Sequence, residues 1–356
     1  MRKRGTHTME LQNKKSDLSN IRKERISGCD FVRAVSALGI IIFHFSCHSN
    51  STFRPLLFHK NGDYGIVFVT VFFLISGAML YYNYMDGICL KDFYVKRFKS
   101  IYPMYYLAFL YYYIENVFQT SNWFYNGNPK SLLLTLVGLD GYFSYRINNY
   151  FLVGEWFVGA IIIIYLIFPL LLFLFNKSSK ITTIITVVGY GIALLLYHNG
   201  LLKIPYHQNI WVCLLSFEVG MLILKHRSIL ESKLVFIVAI ACSIILAGVK
   251  VPVLTESMAG HLLGIALFFV LFHIGDKLMS VPALGSAISR FGKLSYPIFL
   301  IQHQVILKVL AFRNPVSPVY SMITLLLVIA MILVEAKILD LITTAILKSK
   351  LFTAAR

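Results

Sequence analysis

Runs of about 20 apolar residues, separated by short polar or basic stretches, recur along this chain, and a run of that length crosses a bilayer as one helix. Ten such runs stand out, at roughly 29–49, 63–83, 101–119, 152–175, 181–198, 209–224, 233–250, 255–273, 294–312 and 319–343. The pattern predicts an all-α polytopic membrane protein with about ten transmembrane helices. A further run, 131–139, is too short to span and reads as a re-entrant or surface helix in the longest loop. The chain divides into a basic tail at 1–28, a membrane domain at 29–343 and a second tail at 344–356. No internal repeat is visible, which disfavours the inverted-repeat transporter folds.

Composition sharpens this picture. Of the 356 residues, 58% are hydrophobic and 14% charged, and a mean hydropathy of +0.72 exceeds what a soluble core can use. The net charge of +17 could serve nucleic acid or a lipid surface, but its placement speaks for topology. With the N-terminus inside, the inside segments carry roughly three Lys or Arg for each one outside. The inside set runs from the N-terminal tail through Lys91, Lys96, Arg97 and Lys99 to Lys348 and Lys350. Both termini are therefore expected to be cytoplasmic, and no nucleic-acid partner is expected. The first 28 residues contain no apolar stretch that could act as a signal peptide. Five cysteines, at 29, 47, 89, 213 and 242, show no metal spacing and are expected to form no disulfide framework.

Candidate chemistry concentrates in 29–50, CDFVRAVSALGIIIFHFSCHSN. Ionisable groups inside a membrane helix are costly and are functional candidates by default. Arg33 and His44 are eleven residues apart, so they share a helix face and lie about 16 Å apart along the axis. Arg33 fits an anchor for phosphate or carboxylate, and His44 a general base. Snorkelling of Arg33 to the interface is the plainer alternative, and His48 reads as an interface residue. In the basic loop before Pro103, Lys96, Arg97 and Lys99 either set topology or hold phosphates. Glu155 at the start of the fourth helix either satisfies a helix dipole or faces the cavity near His44. Trp156 is an interface residue or a stacking platform for a sugar ring. His303, flanked by Gln302 and Gln304, must share a helix with two other polar groups that cannot all face lipid. It is a packed histidine or a substrate contact. Ser76, Gly77 and Ala78 would let another helix approach closely.

These stretches together resemble the acyltransferase-3 family, the bacterial integral-membrane O-acyltransferases that decorate surface polysaccharides. Arg33 and Ala34, then His44, match its opening Arg–Ala…His. Phe72, Phe73, Ser76 and Gly77 match Phe-Phe-x-x-Ser-Gly. Lys96 and Arg97 followed by Ile101, Tyr102 and Pro103 match its basic motif, with Ser100 where an Arg is usual. Trp156–Phe157 and Ser295, Tyr296, Leu300 and His303 match two later motifs, with Phe299 in place of a Tyr. The resemblance implies transfer of an acyl group, acetyl foremost, from acetyl-CoA or another acyl-CoA to a saccharide or lipid-linked saccharide. It implies a multi-pass protein of a bacterial cell membrane, surrounded by membrane lipids, with the oligomeric state open. Arg33, Lys96, Arg97 and Lys99 would bind the donor; His44 would be the general base or a transient carrier of the acyl group, with Glu155 or another outer-end group orienting it; and Trp156 and His303 would meet the acceptor. No metal is expected. A transporter or exporter of a polysaccharide or lipid-linked sugar is the alternative.

Overall fold

The computed structural model describes residues 25–349. In lipid, backbone N–H and C=O groups must pair within the protein, which for a single apolar run means a helix. The helices, in chain order, are α1 (Ser27–His48), α2 (Tyr64–Tyr84), α3 (Leu90–Thr120), α4 (Leu132–Leu136), α5 (Asp140–Phe143), α6 (Glu155–Lys177) and α7 (Ser179–His198). They continue as α8 (Ile210–Lys225), α9 (Lys233–Gly248), α10 (Glu256–Met279), α11 (Pro282–Lys293), α12 (Ser295–Phe312) and α13 (Pro318–Lys348). A two-residue ribbon, β1 (Phe58–His59) against β2 (Gly62–Asp63), closes the α1–α2 connection. The protein is an all-α, multi-pass membrane protein, and each of the ten predicted runs falls on one long helix.

Three features depart from the sequence reading. Among the described residues, seven helices (α1, α2, α6, α7, α10, α12 and α13) are by themselves long and apolar enough to cross a membrane. At 16 residues, α8 and α9 reach only about 24 Å. Second, the basic stretch 91–99 is not a loop. It is the first third of α3, and Pro103 lies inside that helix instead of starting it. Hydropathy locates where a chain meets the bilayer, whereas the helix here continues through Asp92, Lys96, Arg97 and Lys99, with Phe93 buried among them. Third, α11 is an amphipathic helix in a stretch read as loop, and Gly292 meets the backbone of Asp30 at the start of α1.

The bundle is built around α2. Gly77 of α2 lies against the carbonyl of Phe217 in α8, and Gly220 of α8 lies against the carbonyl of Leu74. Both positions lack room for a Cβ, so the two backbones touch. On its other sides α2 packs against α1 and α10. The short run at 131–139 folds back into the bundle. Gly138 faces Ile162, seven residues and so about 10 Å below the start of α6. The carbonyls of Leu136 and Val137 accept the Tyr106 hydroxyl at 2.5 Å and the Tyr102 hydroxyl at 3.0 Å. Those two tyrosines of α3 satisfy backbone groups that lipid would leave unpaired.

Ionisable groups on the helices, from the buried Glu218 to the more exposed Lys308, are paired in the same spirit. Glu218 accepts from Thr183 at 2.8 Å and from Thr186 at 2.5 Å. Glu335 accepts the Tyr112 hydroxyl. Lys308 and Glu115 form an ion pair at 2.5 Å.

Candidate active site

One face of α1 feeds two separate cavities. At the end of the bundle where α1 begins, α2 ends and α3 begins, a cavity of about 400 Å³ is lined by Arg33, Ser76, Asn83, Lys96, Arg97 and Tyr165, among others. Three of the four predicted donor-binding residues therefore converge, although they come from α1 and from one turn of α3. Lys99 does not line this cavity. Lys96 and Arg97 lie on one side of α3, and two further residues along carry Lys99 round to another.

The charge balance of this cavity leaves cationic capacity. Arg33 Nη1 meets Asp30 Oδ1 at 3.3 Å, while Asp30 is also held by Arg25, whose Nε reaches Oδ2 at 2.6 Å. The Arg97 guanidinium lies 5.5 Å from the Tyr165 ring centroid and 5.9 Å from that of Phe93. Its Nε is buried without a hydrogen-bond partner. A buried donor left unpaired costs free energy that an incoming acceptor would recover.

Toward the opposite end of α1, a cavity of about 120 Å³ is lined by His44, Asp63, Trp156, Phe157, His207 and Phe299, among others. Trp156 thus joins His44 in one cavity. Its indole lies edge-on to the His207 imidazole with centroids 5.5 Å apart. Glu155 opens α6 next to it, and its side chain lies outside the described residues.

Behind this cavity stands a row of three imidazoles. The His44 and His303 rings are 4.9 Å apart, the His303 and His48 rings 4.8 Å, and His48 Nε2 and His303 Nε2 are 2.7 Å apart. His48, which reads from sequence as an interface residue, is therefore bonded to a predicted site residue. The neighbours of His303 part company, as three consecutive polar residues on a helix must. Gln304 Nε2 donates to the Leu152 carbonyl at 2.8 Å, and Gln302 is fully buried with both amide atoms unpartnered. Among the described residues, no group of three or more His, Cys, Asp or Glu is arranged to hold a metal ion.

Two lining residues escape a sequence reading. Asp63 caps α2, accepting from Ile66 N at 3.0 Å, and so looks like a helix boundary. His207 sits in a one-turn 3-10 segment, Tyr206–Gln208, ahead of α8, where no periodicity gives it a face. Burial pushes the His207 pKa below its ordinary value, with the Asp63 carboxylate opposing in part. The imidazole is accordingly neutral near pH 7 and has both a donor and an acceptor nitrogen.

A family model described as an acyltransferase domain matches residues 26–336 of the chain. No curated protein and no solved structure matches it. The matched span contains both cavities and every candidate residue.

Proposed function

The chain belongs to the acyltransferase-3 family, and from that premise we propose that it is a membrane O-acyltransferase. It moves an acyl group, acetyl foremost, from acyl-CoA on the cytoplasmic side of a bacterial cell membrane to a hydroxyl of a surface polysaccharide or lipid-linked sugar on the other side. The observation that carries this reading is the division of one helix face between two cavities, Arg33 in the basic one and His44 in the small one. The basic end faces the cytoplasm on the distribution of Lys and Arg.

Arg33, Lys96 and Arg97 suit the phosphates of the donor, and guanidinium groups bind phosphate through paired hydrogen bonds. Holding the anionic head there keeps its charge out of the hydrocarbon. Only an uncharged arm then needs to cover the roughly 16 Å of helix rise between Arg33 and His44. The His44 cavity, at about 120 Å³, is much smaller than the basic one, at about 400 Å³, which suits an acetyl group and a hydroxyl better than a long acyl chain.

In the transfer, a His44 ring nitrogen takes the proton of the acceptor hydroxyl. The freed oxygen bonds to the thioester carbonyl carbon, the carbon–sulfur bond breaks, and the departing thiolate takes up a proton to give the thiol. His303 against the His44 ring, with His48 behind it, restricts the ring that does this work, and Glu155 is a second group that could orient it. Trp156 offers a flat apolar face to the acceptor sugar.

The test is CoA release from labelled acetyl-CoA by the purified protein. His44→Ala is expected to lower the rate by about 10²–10⁴-fold, and Arg33→Ala to raise the KM for acetyl-CoA by about tenfold or more, the worth of a charged hydrogen bond. Full activity in His44→Ala removes the assignment. Saccharide flux without CoA release replaces the enzyme with a transporter.

A further inference from the structure

The two cavities share no lining residue. The side of α2 that lines both runs from Ile66 and Val69 in the His44 cavity to Ser76 and Asn83 in the basic one. Between those two groups it presents Phe72. The Phe72 ring lies 6.1 Å from that of Phe157 on α6 and 6.5 Å from that of Phe299 on α12, and the Phe157 and Phe299 rings are 5.1 Å apart. Phe73 backs the group, with its ring 4.8 Å from that of Phe157. Three rings from three helices thus meet one another, and two of them, Phe157 and Phe299, line the His44 cavity. On α1, Ser36, one turn beyond Arg33, is fully buried with an unpartnered hydroxyl.

Apolar rings in mutual contact make a closure that side-chain rotation can open, whereas a contact between backbones such as Gly77 on Phe217 cannot yield. They also exclude water, which strengthens polar interactions on either side. We propose that Phe72, Phe157 and Phe299 form a seal across the donor path that determines acyl specificity, parting for a slender arm with a short acyl group and stopping longer or wider ones. The inference rests on the acyl-CoA reading above.

Where the seal is slack, longer donors reach the His44 chamber and water can take the acceptor's place. The water oxygen bonds to the thioester carbonyl carbon, the carbon–sulfur bond breaks, and carboxylic acid and thiol are released. Two substitutions pull in opposite directions. Phe157→Ala opens the seal and Phe157→Trp fills it.

The experiment measures binding of acetyl-CoA, and CoA release from acetyl-CoA and hexanoyl-CoA without acceptor, by the full-length protein in lipid nanodiscs. Phe157→Ala is expected to raise the hexanoyl-to-acetyl ratio of release about tenfold, the discrimination available to one apolar pocket, and to raise release overall. Phe157→Trp should bind acetyl-CoA as the wild type does and release CoA more slowly. A gain in Phe157→Ala cannot come from misfolding, which only removes activity. If the wild type binds acetyl-CoA through Arg33 but both variants keep its chain-length ratio, the seal is overturned and the donor reading stands. If the wild type binds no acyl-CoA, the donor reading falls and the seal with it.

Discussion

The chemistry proposed for this protein rests on a few side chains whose roles follow from depth and neighbours more than from type. Arg33 and His44 are legible in the sequence because their relation is local, since eleven residues on one helix fix both a common face and a separation. His207 is not legible in that way. It reaches the His44 cavity only because a 3-10 turn ahead of α8 folds over the start of α6, and no spacing rule brings such segments together. Its environment makes a prediction. With its pKa lowered by burial from the ordinary 6.5, the folded state binds fewer protons than the unfolded one between the lowered value and 6.5. Stability therefore rises with pH through that window and is lost as the pH falls below about 6.5. Thermal unfolding followed from pH 7.5 down to pH 5 should show a smaller acid-side loss for His207→Gln than for the wild type. An identical loss in both would mean that His207 is not held neutral.

At the scale of elements, the ten apolar runs yield ten long helices because an apolar run in lipid has no other way to satisfy its backbone. The reading fails where charge and helix coincide. The first third of α3 is helical although hydropathy stops at its end, and α11 is helical although its polar face hides the apolar one. Those same turns of α3 bring Lys96 and Arg97 beside Arg33. A loop there would not fix which basic residues face the cavity, and the helix decides that Lys99 does not. The Ser76–Gly77–Ala78 stretch, read as a close-approach site, is one, since Gly77 meets the backbone of α8. Gly77→Ala is expected to destabilise by about 1–3 kcal/mol, the usual cost of overpacking, because a carbonyl blocks the added carbon. Gly191 in α7 has nothing within 4 Å of an added Cβ, so Gly191→Ala should be neutral or gain about 0.5–1 kcal/mol from helix propensity. Equal thermal unfolding of the two variants in detergent would contradict the crossing of α2 and α8 described here.

At the scale of the whole molecule, the bundle lines up a basic cavity, a ring of phenylalanines and a small histidine cavity along one axis. On the function proposed above, that order would let an acyl group cross a membrane while its charged carrier stays behind. The alignment was only half visible in the sequence. The two ends of α1 are given by one helix, but the seal needs α2, α6 and α12 to converge, and nothing local to Phe72, Phe157 or Phe299 states that they will meet. The central claim is directional, so the most direct measurement is too. In sealed vesicles of known orientation, radiolabelled acetyl-CoA is supplied on one side only and label is followed into saccharide on the other. The account predicts His44-dependent transfer when the donor is on the Arg33 side and the acceptor on the His44 side, and none when they are exchanged. Transfer that is indifferent to the side of the donor, or that survives His44→Ala, would contradict it.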